Sequence, residues 1–386
     1  MSDYIHQARA LAPELTALRR AFHRRPELGN REFETADRVE GCLRDMGIPT
    51  RRLLGTAVVG TLTGALPGPT AALRADMDAL PLTEATGVDF ASENPGVMHA
   101  CGHDVHMAAA LGAAKLLSAR RDALAGSVVF LFQPDEEGRG GAQRMIDAGA
   151  LEGVDAVFGA HVSPDLPAGH VGVRYGKFYA ASDTFRIVVK GVSAHGAQRE
   201  RGVDALGAAA ALTVKLIGLA GALEGERGVL SVGTLRAGTA ENALADRAEL
   251  AGIIRTLGPA ARARMRELFE SAVPETVASW GASADWELRQ SYPGVVNDDA
   301  MTALAERAAR AALGDSAVHV IHEPTMTTED FGYFLQQRPG SFYHIGAGCA
   351  LPLHNTSFLP DDGAVVTGAA VHAAVIEAFL GRDRRA

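Results

Sequence analysis

Ser182 to Lys190 reads SDTFRIVVK, and it opens the stretch on which the architecture turns. The run reads as a strand. A helix over Val203 to Leu223 follows, then strands over Gly228 to Leu235 (GVLSVGTL) and Arg247 to Thr256 (RAELAGIIRT), a helix over Pro259 to Trp280 and a last strand over Ala284 to Arg289. The order β-α-β-β-α-β predicts a ferredoxin-like unit of about a hundred residues, able to fold as its own two-layer domain.

The flanking sequence follows another pattern. Leu11, Leu15, Leu18 and Phe22 keep one helical face apolar, and Val39, Leu43 and Met46 repeat this before Gly47 stops it. Thr56 to Leu62 and Thr70 to Arg74 read as short strands, and Ser127 to Phe132 and Ala156 to Ala160 as buried ones. The helix formers of Asp104 to Ser118 lie between them, and helices over Asp298 to Leu313 and Gly363 to Leu380 close the chain. Alternating strands and helices imply an α/β fold: a mixed, largely parallel sheet flanked by helices. The expected division is a catalytic domain over 1–178 and 293–386, with the ferredoxin-like domain inserted at 179–292.

The 386 residues suffice for about two domains. Apolar residues at 47% and charged residues at 22% are ordinary globular usage, which excludes a disordered tail, and the 43 glycines show no collagen-like period. Thirty-seven basic against 46 acidic residues leave a net charge of −9, so nothing electrostatic favours nucleic acid or an anionic membrane as a partner. Ala205 to Leu223 is the most membrane-like run, but Lys215 at its centre and Gly207, Gly218 and Gly221 mark it as a packed helix. Cys42, Cys101 and Cys349 form no CxxC pair and read as reduced thiols, and the N-terminus lacks the apolar core of a signal peptide; a cytoplasmic protein is expected.

Chemistry concentrates in two motifs and two further histidines. His99-Ala100-Cys101-Gly102-His103-Asp104-Val105-His106 crowds three imidazoles, a thiol and a carboxylate into eight positions, and a thiolate and an imidazole two residues apart on a glycine turn can reach one metal. His106 reads as a continuation of the helix behind that turn. Phe132-Gln133-Pro134-Asp135-Glu136-Glu137-Gly138 follows an apolar strand, so its acids emerge where open α/β sheets place ligands. Adjacent carboxylates in extended chain point opposite ways, so one can bind metal while the other faces water. His161, just after Ala156 to Ala160, and His354 in PLHN add two imidazoles. Together these residues could serve two ions sharing a bridge.

ADMDALP (Ala75 to Pro81), HACGHDVH, FQPDEEG, GAHV (Gly159 to Val162), SAHGA (Ser193 to Ala197), TEDFGYF (Thr328 to Phe334) and LPLHNTSF occur in the order found in M20 metallopeptidases. The chain resembles most the aminoacylase and hippurate hydrolase amidohydrolases of that family, whose opening FHRRPELGNREFET (Phe22 to Thr35) also resembles. The resemblance implies two divalent ions per chain, ligated by Cys101, His103, Glu137, His161 and His354, with Cys101 as bridge, Glu136 as general base and Asp78 orienting the ligands. It equally implies that the inserted domain is a lid and dimerisation module, that His195 polarises the substrate carbonyl, and that Asn242 and Arg255 hold the substrate carboxylate or acyl carbonyl.

The implied reaction is metal-dependent hydrolysis of an N-acyl-L-amino acid to a carboxylic acid and a free amino acid, in a homodimer joined through the lid. Zinc or manganese would serve, with cobalt or nickel as substitutes in vitro. Alternatives are an M20 dipeptidase or carboxypeptidase, a non-catalytic binding or scaffold homologue, and a hydrolase using Cys101 as nucleophile. Arg199 and Ala245 replace prolines of the family pattern, and Ile253 stands in the usual Gly-Thr strand pair; all three fall in the inserted domain and bear on the substrate pocket, not on the ligands.

Overall fold

In the computed structural model, which describes residues 3–223 and 225–381, the runs Leu66–Asp76, Ala125–Gln133 and Ala156–Ser163 form neighbouring parallel strands. Gly340–Gly346 extends the parallel set beside Ala156–Ser163, and Ala57–Thr63 pairs antiparallel with Ala125–Gln133 on the other flank. Thr50–Leu53 at one edge and Val171–Val173 and Val318–Val320 at the other complete an eight-stranded sheet among the described residues. Every residue of Ala156–Ser163 is buried, which is why Ala156 to Ala160 is continuously apolar rather than alternating.

Two helices, His103–Ser118 and Gly363–Leu380, run through the core of this unit and are buried almost all round. They meet on small residues: a methyl at Gly112 would lie 2.7 Å from the Ala369 Cβ, and one at Gly368 would lie 2.8 Å from the Ala109 Cβ. Gly363–Leu380 is long and apolar enough to cross a bilayer, as is Ala205–Ala222. The former has 83% of that span buried inside the protein.

The second unit carries a four-stranded antiparallel sheet among the described residues: Ser283–Gln290, Ala181–Lys190, Arg247–Thr256 and Gly228–Ala237, in that spatial order. Helices Ala205–Gly218 and Pro259–Ala278 complete the β-α-β-β-α-β order read from the sequence. Ala205, Ala208, Ala209, Leu212 and Leu216 face its core, where Phe185 and Phe269 meet with ring centres 5.1 Å apart.

Three readings need correction. The expected helix to Leu223 stops at Gly218 and tightens into a 3-10 turn over Leu219–Ala222. The second unit comprises Lys177–Val296 and also Glu323–Gly332, a segment assigned from sequence to the catalytic part; the first comprises Met1–Gly176, Asn297–His322 and Tyr333–Ala386. Backbone pairing accounts for this, since Thr325 N–H donates to Phe178 O at 2.9 Å and Ala180 N–H to Thr327 O at 3.0 Å. The sequence reading also passed over Gly340–Gly346 and the short strands Thr50–Leu53, Val171–Val173 and Val318–Val320.

Candidate metal centre

Cys101 sits on the turn entering the helix His103–Ser118. Gly102 caps that helix at φ 84°, and a Cβ there would come within 2.4 Å of a Val162 methyl, so the turn and the neighbouring strand close on each other only through glycine. Glu136 and Glu137 follow the carboxyl end of Ala125–Gln133, and His161 lies near that of Ala156–Ser163. His354, at φ 63°, donates its main-chain N–H to Ala100 O at 2.8 Å, which ties its turn to the cysteine segment. Parallel strands ending side by side thus gather residues far apart in sequence.

The side chains converge. Cys101 Sγ stands 3.3 Å from His161 Nε2, and His354 Nε2 stands 3.1 Å from Glu137 Oε1. Donor atoms of Cys101, His103 and His161 lie within 4.8 Å of one another, and so do those of Cys101, Glu137 and His354; the two sets share the thiol. His103, Glu136 and Glu137 form a further such group.

The protonation landscape of this cluster asks for a cation. Burial, with Glu137 and Glu136 close by, pushes the Cys101 thiol well above its ordinary range. Burial opposes charge on His103, but Asp76, the hydrogen bond its ring donates to Asp78 and the Glu137 charge outweigh it and raise the imidazole to about 10. Glu137 is pulled down to about 2, against burial, by His354 and His103. Protons and histidine charges here balance carboxylates as a divalent ion would. His103 Nδ1 is held by Asp78 O at 2.8 Å, while its buried Nε2 has no hydrogen-bond partner, the condition of an imidazole oriented from behind for a metal. The residues therefore fit a metal centre, and thiolate with imidazole suits zinc-like ions.

A second buried layer supports the donors. Asp78 accepts the main-chain N–H of Glu136 and of Glu137, each at 3.0 Å. His106 is a support rather than a donor: Nδ1 meets Asp76 Oδ1 at 2.6 Å, and Nε2 accepts the Val162 N–H at 2.9 Å, beside His161. Asp76, His103 and His106 also cluster, yet Arg74 Nη1 lies 2.5 Å from Asp76 Oδ2 and already occupies that oxygen as an ion pair. Sequence reasoning gave Asp76 no role and missed the Arg74–Asp76–His106 chain; the two acids of ADMDALP were its one visible trace.

In the second unit, His195 is exposed and pairs through its backbone with Ala243, and Gly196 N–H donates to Asn242 O at 2.8 Å. The structure thus brings His195 and Asn242 together. It does not bring Arg255 to them: Arg255 pairs with Ser182 at the far end of a strand whose near end, Arg247, pairs with Lys190. The eight steps between them span about 26 Å. Arg255 Nη1 is buried without a hydrogen-bond partner, and burial lowers the guanidinium pKa. Of the departures from the family pattern, Arg199 pairs with Asp204 at 2.9 Å, Ala245 is buried, and Ile253 is exposed between Thr184 and Ser231.

Residues 72–378 match the model of peptidase family M20/M25/M40. An N-acetyl-L-cysteine deacetylase of Bacillus subtilis is 37% identical over 92% of this chain and 86% of its own length. Thermostable carboxypeptidase 1 of Saccharolobus solfataricus is 35% identical over 98% of both chains. The crystal structure of the Bacillus subtilis YXEP protein, described as a dinuclear metal binding peptidase of the M20 family, superposes with a TM-score of 0.87 at 35% identity, covering 96% of this chain and 99% of that one.

Proposed function

Since the chain belongs to peptidase family M20/M25/M40 and is a metallohydrolase of that family, we propose that it is a binuclear amidohydrolase releasing free amino acids from N-acyl-L-amino acids. The observation that carries the reading is the shared thiol: Cys101 belongs to both donor groups, so one bridging ligand can serve two ions. Zinc or manganese is the metal we expect, in a reducing cytoplasm that keeps Cys101 available.

Divalent ions held there would acidify a water and polarise the substrate carbonyl. Glu136 takes the proton of that water and delivers it to the departing amine. Glu137 ligates, and Asp78 fixes the main chain of both glutamates, so base and ligand keep a constant separation. The His195 ring donates to the developing oxyanion, and Arg255, whose buried Nη1 lacks a partner, takes the substrate carboxylate with Asn242 assisting at the acyl carbonyl.

A short acyl amino acid cannot reach both ends of one lid strand, so His195 and Asn242 serve the site of a second copy. The lid supports pairing. On Ala205–Gly218, Leu206, Val214 and Ile217 are exposed, Val214 by 75%, and the edge strand Gly228–Ala237 exposes Val229 and Leu235. Apolar stripes and open strand edges of this kind are normally covered.

Amino acid release from N-acetyl, N-benzoyl and longer N-acyl amino acids and from dipeptides, with zinc- and manganese-loaded protein, tests the reading. Release abolished by chelation, restored by metal and lost in Glu136→Gln is the expected result. Release that survives chelation would favour Cys101 as nucleophile. The carboxypeptidase relative makes peptide cleavage the second reading, and dipeptides hydrolysed as fast as acyl amino acids would install it.

A further inference from the structure

The segment Pro26 to Glu32 (PELGNRE) contributes no donor to the metal cluster, yet it grips the loop that carries both working carboxylates. That loop leaves its strand through Asp135 at φ 59°, a left-handed backbone that strains a non-glycine residue. Such a backbone persists only where its surroundings over-determine it. Here they do. Three successive main-chain N–H groups are each taken by a buried carboxylate: Asp135 by Glu32 Oε1 at 2.9 Å, then Glu136 and Glu137 by the two oxygens of Asp78.

The Asp135 side chain is caught by the same segment. Asn30 Nδ2 donates to Asp135 Oδ2 at 2.5 Å, and Asn30 is itself held by Arg144 at 2.5 Å. The Asp135 carboxylate lies in a slot between Gly29 and Gly138, where a methyl on either would come within 2.3 and 2.2 Å of Oδ1. The segment is anchored beside Asp78 as well, because Ala79 N–H donates to Glu27 O at 2.8 Å. One short stretch of chain therefore references the base loop to the strand end bearing Asp78.

We propose that Glu32 is a positioning residue for the general base: by holding the Asp135 N–H, it sets the direction in which the chain presents Glu136. This rests on the reading of Glu136 as base. Glu32 Oε2 is buried without a hydrogen-bond partner, so a single oxygen performs the task and a glutamine can reproduce it. Misplacing a catalytic group by about 1 Å costs on the order of a hundredfold in turnover, whereas substrate held by other residues binds as before.

The experiment compares full-length, metal-loaded Glu32→Ala, Glu32→Gln and Glu136→Gln on the fastest-cleaved acyl amino acid of the series above, measuring kcat, KM and metal content. The expected result is a 10- to 100-fold loss of kcat in Glu32→Ala, with KM within about twofold and two metals retained, and kcat within about threefold of wild type in Glu32→Gln. Unchanged kcat in Glu32→Ala, an equal loss in Glu32→Gln, or lost metal would overturn the proposal. If Glu32→Ala does not fold, Asn30→Ala decides: a loss confined to kcat supports the grip, and wild-type kcat overturns it. Full turnover in Glu136→Gln would instead bring down the reading of the base, an outcome separable from the failure of Glu32 alone.

Discussion

Asp78 and Glu136 are joined through the backbone: Asp78 Oδ1 accepts the Glu136 N–H at 3.0 Å while its other oxygen accepts the next N–H along. An amide cannot imitate this, because one of its two arms is a donor. Asp78→Asn is expected to set an NH2 against a main-chain N–H, lowering kcat/KM by about a hundredfold and metal affinity about 10- to 100-fold. Steady-state kinetics and metal titration read the two losses; wild-type values for both would contradict the role.

Cys101→Ala removes the donor common to both groups, and metal content is expected to fall from two ions per chain to one or none. Cys101→Asp supplies an oxygen donor and should recover part of the content, with preference moving from zinc toward manganese. Elemental analysis after dialysis measures this. Two ions retained in the alanine variant would show that the thiol does not bridge.

The separation of Arg255 from His195 makes a complementation test decisive. Glu136→Gln and His195→Ala homodimers should each be inactive, and random exchange between them should restore about a quarter of wild-type activity, since half the dimers are mixed and each carries one intact site. Absence of recovery after verified exchange would place His195 in the site of its own chain.

His23 gives the fold a pH dependence independent of the metal donors. Its Nδ1 lies 2.9 Å from Asp104 Oδ2 and its Nε2 3.1 Å from Glu84 Oε1, with Arg19 also on Asp104. Burial opposes the charge, but the two carboxylates raise the imidazole to about 9. The folded pKa lies above the unfolded value, so this stabilisation is complete below about pH 6.5 and is lost as pH rises through about 9; it amounts to about 3 kcal/mol. Tm of the wild type should therefore fall between pH 7 and 10 more steeply than Tm of His23→Gln. Parallel curves would contradict the assignment.

Much of this was legible in the sequence because it is local. Arg247–Thr256 and Gly363–Leu380 have the bounds read for them, since a run of alternating or continuous apolar residues between turn formers carries its own signal. Gly340–Gly346 was invisible for the converse reason: GSFYHIG mixes polar and apolar residues, and its place in the sheet comes from pairing with Ala156–Ser163. Cys101, His103 and Glu137 could be found in dense motifs, whereas His161 and His354 are lone imidazoles that only the family resemblance joined to them. The hold of Glu32 on Asp135 could not, because 103 residues separate them and neither motif implies that the two meet.

The helix Gly363–Leu380 also governs when the catalytic unit can exist. It covers His103–Ser118, made roughly 240 residues earlier; at about 5–20 residues per second that interval is about 12–50 s. During synthesis the earlier helix waits on the ribosome with a bare apolar flank while the ferredoxin-like strands, nearly contiguous in the chain, find one another. Completion of this unit is thus timed by the synthesis of a helix some 240 residues downstream of the one it covers.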